Sequence, residues 1–168
     1  MSFVRKEYDK GVVVIAYTGR DVDRQYLLLR RIHPWRGWGL LKGGCEGNSE
    51  RFTVKKEVKE EAQLKEYLDY REDCIQRIQN LRVKYKRPRR QKNIIPKSIG
   101  QDLQVFVLKV RNESKDRVHV DYEENDDYCW VGLERAKEML RHKNYKIALE
   151  KADEFIREME RNRFLPKL

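Results

Sequence analysis

The chain contains few cysteines and no long hydrophobic run. No apolar stretch approaches the roughly 20 residues that a membrane-spanning helix needs, and the opening MSFVRKEYDK lacks the apolar core of a signal peptide. The three cysteines, Cys45, Cys74 and Cys129, form no CxxC pair and no even-numbered disulfide framework. We therefore expect a cytoplasmic protein without membrane contact, in a reducing compartment.

Histidine is also scarce, which excludes two kinds of site. With only His33, His119 and His142, the sequence offers neither a histidine-rich zinc site nor a Ser-His-Asp type of arrangement. The chain has 168 residues, of which 39% are hydrophobic, and this is enough for one domain with a real core. We predict a single α/β domain over residues 1–168.

Three glutamates stand close together in the segment KKEVKEE, at residues 55–61. Glu57, Glu60 and Glu61 stand at i, i+3 and i+4, so a helix would place them on one face. Like charges at that spacing repel one another, and the arrangement is favourable only with positive charge among them. That charge comes either from a divalent cation, which makes this a magnesium site, or from lysines on an ordinary solvated helix.

A glycine-rich turn precedes the acidic segment. It begins at Gly43 and Gly44 and ends at Asn48 or Ser49, and both of these residues are favoured N-caps. Glycines let the backbone approach a ligand closely, and the unpaired N–H groups of a first helical turn attract an anion. The turn and the acidic helix together predict a corner where phosphate and metal meet.

These residues resemble the box of the Nudix hydrolases. That box runs Gly, five residues, Glu, seven residues, Arg-Glu, an apolar residue, any residue, Glu-Glu, any residue, Gly and an apolar residue. The positions that match in register are Glu57, Val58, Glu60, Glu61 and Leu64, and Lys42-Gly43-Gly44 resembles the Lys-Gly-Gly that commonly opens the box.

The chain departs from the box in four places. The loop after Gly44 is one residue short, and Asn48, Lys56 and Gln63 stand where the family has Glu, Arg and Gly. In the family the loop Glu pairs with the box Arg and braces the turn. An Asn opposite a Lys implies a weaker brace, and Glu46 and Glu50 are both candidates to replace it.

The resemblance covers the chain from about Gly11 to Ile156. Residues 11–17, 26–30 and 104–110 read as strands, and residues 128–136 read as a strand that leads into a helix. Residues 130–156 are similar to the C-terminal part of the branch that contains diadenosine tetraphosphate hydrolases and RNA 5′-pyrophosphohydrolases. The resemblance implies a mixed sheet sandwiched between helices, with a C-terminal helix near residues 144–162.

The resemblance also implies roles for the acidic residues. Glu57 and Glu61, assisted by Glu60, are implied as catalytic ligands of Mg²⁺, with Mn²⁺ as an alternative ion. Glu124, with Glu123 as its rival, resembles the late acidic residue that often serves as general base in the diadenosine polyphosphate branch. The other interpretation of that pair is a solvated acidic loop within DYEENDD.

Substrate contacts are expected around the glycine turn and in a basic segment. Around the turn we expect them from Trp38, Lys42, Gly43 and Gly44. The net charge is +10, and residues 82–97 carry eight Lys or Arg and no acid. The prolines of that segment, Pro88 and Pro96, predict a loop that enters or leaves a strand rather than a regular helix.

The basic segment has three possible roles. It neutralises a polyphosphate, contacts an RNA backbone, or serves only as a solubilising surface. Under the first two, Lys84, Lys86 and Arg87 are the predicted substrate contacts. Upstream of it, the apolar residues of 67–81 indicate a helical period, and the segment is interpreted as an insertion or an elaborated connector.

The implied reaction is hydrolysis of a phosphoanhydride bond in a nucleoside polyphosphate. The first hypothesis is a magnesium-dependent dinucleoside polyphosphate hydrolase, acting on a substrate such as diadenosine tetraphosphate. The second is an enzyme that removes pyrophosphate from RNA 5′ ends or cleaves caps, for which RNA 5′ ends are the partner. The third is a Nudix module that binds nucleotides or RNA without catalysis. The sequence leaves the oligomeric state open.

Overall fold

The computed structural model describes residues 7–86 and 98–162. Within these residues the chain forms seven strands and three α-helices. The strands are β1 (Glu7–Thr18), β2 (Gln25–Arg31), β3 (Gly37–Gly39), β4 (Leu41–Gly44), β5 (Ile75–Lys86), β6 (Ser98–Lys109) and β7 (Asn125–Val131). The helices are α1 (Glu50–Ala62), α2 (Leu133–Met139) and α3 (Lys143–Arg161). No helix of the described ranges is both long enough and apolar enough to span a bilayer.

All seven strands join one mixed sheet. The main path runs β3-β2-β1-β6-β5, while β4 pairs with β1 and β7 pairs with β2. Strands β1 and β6 are parallel, and the other pairs are antiparallel. Helix α1 packs on one face of the sheet, and α2 and α3 pack on the other. The predicted α/β class, a mixed sheet sandwiched between helices in a single domain, is confirmed.

Strand β1 is the centre of the core because it is buried on both faces. Val12 and Val14 face the cluster that includes α1, whereas Val13 and Ile15 face the cluster that includes α2 and α3. All four side chains are fully buried. A strand covered on both faces reads as a continuous apolar run rather than as an alternation, which explains the sequence GVVVIAY at residues 11–17.

Helix α1 begins and ends with identifiable signals. Ser49 is the N-cap, and its hydroxyl accepts a hydrogen bond from the Phe52 amide at 3.2 Å. At the C-terminal end Gln63 adopts the left-handed conformation, with φ 56°. Glycine is the residue that takes this conformation without a steric penalty, and a side chain here costs roughly 1–2 kcal/mol. With Gln63 where the family has Gly, α1 still ends at this position, but the backbone of residue 63 is strained.

The helical period of residues 67–81 does not correspond to an α-helix in the structure. A turn precedes the 3-10 helix at Glu72–Cys74, and β5 follows directly from Ile75. The misreading has a physical cause, because the register of β5 against β6 shifts between Arg77 and Arg82, and Asn80 has φ 65°. Such a bulge spaces the buried residues Ile75, Ile78 and Leu81 three apart, which imitates a helical period.

The basic segment begins in a strand, since residues 82–86 form the last part of β5. Residues 87–97, including Arg87, lie outside the described residues. The last described helix, α3, spans Lys143–Arg161, in the region where the sequence predicts a helix near residues 144–162.

A buried ion cluster fastens α3 to the sheet. Arg24, just before β2, contacts Asp153 at 3.2 Å and also pairs with Glu160. The Tyr26 hydroxyl donates a hydrogen bond to Asp153 at 2.5 Å. The side chains of Arg24 and Asp153 are only 4% and 6% exposed, so removing one charge leaves the other poorly solvated.

We predict that Asp153→Asn lowers the free energy of unfolding by about 3 kcal/mol, because one buried carboxylate of the Arg24 cluster disappears. Urea unfolding followed by circular dichroism measures this loss. Glu150→Gln is the matched control on the same helix, since its pair with Lys137 is exposed and is worth less than about 1 kcal/mol. Equal losses in the two variants would contradict a role of the cluster as the anchor of α3.

Candidate active site

Gly43 and Glu57 come together where β4 leads into α1. Residues 41–44 of β4 pair with residues 11–14 of β1, which holds the end of β4 against the helix. A Cβ placed on Gly43 would lie 2.1 Å from Cδ of Glu57 and 2.2 Å from its Oε1. The Glu57 carboxylate therefore occupies the space that a side chain at position 43 would fill, and only glycine fits there.

Glu61 lies one turn further along α1 and is buried, with 3% of its surface exposed. Its Oε1 is 3.4 Å from the Lys42 amide nitrogen. Its Oε2 accepts a hydrogen bond from Asn125 Nδ2 at 3.3 Å and lies 3.6 Å from the guanidinium of Arg31. Three different parts of the chain, β4, β7 and the end of β2, thus hold this carboxylate in place.

Burial and mutual repulsion act on these acids together. Burial raises the pKa of Glu57, and the negative charge of Glu60 raises it further. Burial likewise raises the pKa of Glu61, with the Arg31 charge opposing and the Glu57 charge adding to the rise. Glu60 itself is exposed on the helix surface. The cluster carries negative charge that its surroundings neutralise only in part, which is the electrostatic condition for binding a cation.

Arg31, at the end of β2, is a site residue that the sequence analysis missed. It is 6% exposed, and its Nη atoms lie 3.6 Å from Glu61 and 3.3 Å from Glu124. Its guanidinium also lies 5.5 Å from the centre of the Trp35 ring. One arginine thus links the buried acid of α1 to the acid of a distant loop. No local signal marked it, because the partners lie 30 and 93 positions away in the chain.

A folded turn presents Glu124 to Arg31. The Asp121 carboxylate accepts hydrogen bonds from the backbone amides of Glu123, Glu124 and Asn125, at 3.0, 3.0 and 3.2 Å. Within the described residues, the ion pair with Arg31 belongs to Glu124 and not to its rival Glu123. The Glu124 side chain is 54% exposed, so this acid has access to solvent water while its position is held.

The donor chemistry of the cluster suits a hard divalent cation. Among the described ranges, 7–86 and 98–162, no three His, Cys, Asp or Glu side chains already converge on one ion position. Oxygen donors are nevertheless at hand. Glu57 and Glu61 supply carboxylates, and within the described chain the buried Oδ1 of Asn125 has no hydrogen-bond partner. Such oxygen donors are what Mg²⁺ and Mn²⁺ prefer.

A cavity of about 720 Å³ opens beside the carboxylates. Its lining combines aromatic rings with cationic side chains and comprises Pro34, Trp35, Lys42, Val83, Tyr85, Lys86, Gln101, Arg141, His142, Lys143, Asn144 and Tyr145. Lys42 joins the two features, because its backbone amide lies against Glu61 and its side chain lines the cavity, where Nζ is 2.8 Å from the Tyr85 hydroxyl. Size and lining match a site for a nucleotide-sized ligand.

The Trp35 ring, which lines the cavity, contacts both a cationic and an aromatic side chain. The guanidinium of Arg141 lies 5.6 Å from the centre of its ring, and His142 meets it edge-on at 4.7 Å between ring centroids. Trp38, which the sequence analysis favoured as a substrate contact, does not line the cavity. Its ring packs against the core cluster on the α2–α3 face of the sheet and lies 5.9 Å from the Arg30 guanidinium.

The structure separates the predicted basic contacts. Lys86 lines the cavity, whereas Lys84 does not. The Lys84 Nζ lies 4.2 Å from the centre of the Tyr8 ring.

Of the two acids considered as a brace for the turn, Glu50 pairs with Arg77 on β5 at 3.1 Å. Glu46 is exposed, with φ 48°.

Comparison with known protein families shows to which family this chain belongs. The sequence profile of the NUDIX domain matches residues 8–151. The chain belongs to the Nudix family. This confirms the predicted family and the predicted enzyme class, a Nudix pyrophosphohydrolase. Nudix hydrolases in general use divalent metal ions. A comparison with curated proteins finds no match.

Solved structures share the Nudix fold with this chain. The C. elegans Ap4A hydrolase binary complex is 21% identical, with a TM-score of 0.65, and the match covers 89% of this chain and 98% of that one. The NUDIX domain of Shewanella oneidensis NrtR complexed with ADP ribose is 17% identical, with a TM-score of 0.66 and 90% of each chain covered. At such identities the likeness establishes the fold.

We predict that Arg31→Gln lowers kcat by about 10–100-fold, the usual effect of removing a group that orients a catalytic residue. Glu124 loses its ion pair, and Glu61 loses the positive charge that lowers its pKa, so the acidic limb of the pH profile of kcat should move to higher pH, which loss of packing alone would not produce. Arg30→Gln is the matched control, because Arg30 is the next residue, is exposed and pairs with Asp126 instead. Equal kcat and equal pH profiles in the native protein and Arg31→Gln would contradict the positioning role.

Proposed function

We propose that this Nudix protein is a magnesium-dependent hydrolase of dinucleoside polyphosphates, with diadenosine tetraphosphate as the representative substrate. The observation that carries the proposal is the cavity lined by aromatic and cationic side chains beside the carboxylates of Glu57 and Glu61. A dinucleoside polyphosphate has both chemical parts that this arrangement can accept, a flat base and a chain of phosphates.

Glu57 and Glu61 are the residues that would hold Mg²⁺ or Mn²⁺, with Glu60 at the surface adding negative charge. When bound, a divalent cation polarises the phosphate oxygens and lowers the pKa of a bound water. The protein contributes the position of the acids. Gly43 leaves room for Glu57, and the Lys42 amide and Asn125 orient the two oxygens of Glu61.

Glu124 is the proposed general base. Its partly exposed carboxylate is within reach of solvent water, and Arg31 holds it near the buried acids. The negative charges of Glu60 and Glu124 both raise the pKa of Glu57. Glu124 therefore lies close enough to the cluster to interact with it electrostatically. A base at this position would accept the proton of the attacking water.

The cavity supports the assignment of the substrate. Trp35 and Tyr85 are partly exposed and supply ring surfaces of the kind on which nucleobases stack, at about 1–3 kcal/mol per base. Lys42, Lys86 and Arg141 supply positive charge for phosphates along the same wall. Gly43 and Gly44 keep the backbone open on the metal side. The structural likeness to the C. elegans Ap4A hydrolase agrees with this choice.

RNA 5′ ends are the second candidate substrate, and the surface of β5 favours them. Beyond the cavity, Lys84 stacks on Tyr8, and Arg82 and Lys10 both contact Asp102 with their charged groups at the surface. This edge continues into the basic residues of 87–97 in the sequence. Such a strip would accommodate the backbone of an RNA whose 5′ phosphates enter the site.

The cytoplasmic location also remains a prediction.

We predict that the purified protein with Mg²⁺ cleaves diadenosine tetraphosphate to AMP and ATP faster than it removes pyrophosphate from 5′-triphosphorylated RNA. Chromatography of the released nucleotides measures both rates. Glu61→Gln should lower kcat/KM more than about 100-fold, beyond the range typical of an outer-shell partner. Glu50→Gln is the matched control on the same helix, because Glu50 pairs with Arg77 and lies two turns before Glu57.

The alternatives have distinct outcomes in the same assay. Faster cleavage of the RNA would reject the dinucleotide as preferred substrate and assign the β5 strip to RNA. No turnover of either substrate, in a protein that still binds ATP, would reject both hydrolases and favour the non-catalytic module.

A further inference from the structure

A second cavity lies at the opposite end of β1 from the candidate active site. Its volume is about 690 Å³, and its lining comprises Gly19, Arg20, Val22, Asp23, Arg24, Gln25, Asn112, Lys115 and Gly132. Gly11 pairs with Gly44 at the active-site end of β1, and Thr18 directly precedes this cavity. The two positions are separated by about 23 Å at the usual rise of a strand. The cavity is therefore a separate feature, which the hydrolase chemistry does not use.

The lining is rich in hydrogen-bond donors. Three cationic side chains, those of Arg20, Arg24 and Lys115, stand against the single carboxylate of Asp23. Gln25 and Asn112 add side-chain amides. Arginine, lysine and amide N–H groups together are the donor set with which proteins bind phosphate and similar oxyanions.

Arg24 gives the cavity a built element that an ordinary basic surface lacks. The residue is only 5% exposed, and its terminal nitrogens are fixed by Asp153 and Glu160. Within the described residues its Nε has no hydrogen-bond partner. A buried N–H donor without a partner is costly, and an acceptor oxygen in the cavity would satisfy it.

The surrounding charges also favour an anion. Lys109 lies at this end of the sheet, opposite Tyr17 in the β1–β6 ladder. Burial lowers the pKa of Lys109, the positive charges of Arg20 and Arg24 lower it further, and the Glu160 carboxylate acts in the opposite direction. A bound anion would reduce the repulsion between Arg20 and Lys109.

We propose that this cavity is a second, non-catalytic binding site for a phosphate group. Arg20 and Lys115 contact the phosphate oxygens from the rim, and Arg24 donates through Nε from the buried wall. The phosphate belongs either to a small phosphorylated molecule or to the backbone of a nucleic acid, because both present the same oxygens. The site is independent of the proposed hydrolysis.

Titration with inorganic phosphate, followed by the amide resonances of the protein in NMR, tests the proposal. The amides of Gly19 and Gly132 report on this cavity, and those of Gly43 and Gly44 report separately on the active site. We expect saturable shifts at Gly19 and Gly132. The double variant Arg20→Gln/Lys115→Gln should bind about tenfold more weakly or worse at this cavity, because two charge-assisted hydrogen bonds are lost.

The matched control is Arg71→Gln/Arg77→Gln, which removes the same charge from side chains that pair with Asp73 and Glu50 and do not line the cavity. It should bind phosphate as the native protein does. Arg24 is left unchanged, since it belongs to the cluster that anchors α3. Repeating the titration with AMP and with a short RNA lacking a 5′ phosphate distinguishes a small phosphorylated molecule from a nucleic-acid backbone. The better ligand is the one that saturates the Gly19 shift at the lower concentration.

Three results would overturn the proposal. They are shifts at Gly19 and Gly132 that never saturate, equal affinity in the native protein and Arg20→Gln/Lys115→Gln, and shifts that chloride reproduces at the same ionic strength.

Discussion

The close approach of the Glu57 carboxylate to the backbone of Gly43 is the constraint on which the rest of the site depends. It requires a residue without a side chain at position 43, a strand that ends there, and a helix that begins a few residues later under a Ser49 cap. The pairing of β4 with β1 fixes the strand, and the packing of α1 on the same face of the sheet fixes the helix. The core therefore determines where these acids stand.

The acids are kept together against their own repulsion. Burial and neighbouring negative charge raise the pKa of both Glu57 and Glu61, and Arg31 and the Asn125 amide offset only part of this cost. A protein selected for stability alone would have little reason to bury the Glu61 carboxylate beside the half-buried carboxylate of Glu57. The arrangement is understandable when a divalent cation is part of the working site, as it is in Nudix hydrolases generally.

The sequence was informative where its signals are local. The spacing of the glutamates, the N-cap and the glycine turn lie within about one helix length, and the structure places them at one corner. Arg31, Asn125 and the cavity lining were not recognisable, because strands far apart in the chain bring them together. A bulge in β5 gives a strand the spacing of a helix, and the sequence does not reveal that Trp38 packs against the core.

We propose Glu57 and Glu61 as the ligands of the metal ion, and crystals grown with Mn²⁺ and measured for anomalous scattering would test this assignment. Glu61→Gln crystals grown in the same way are the reference. We expect an anomalous peak bound by carboxylate oxygens of Glu57 and Glu61 in the native protein, and its loss in Glu61→Gln. A well-ordered native site without a peak at saturating Mn²⁺, or a peak coordinated by other residues, would contradict it.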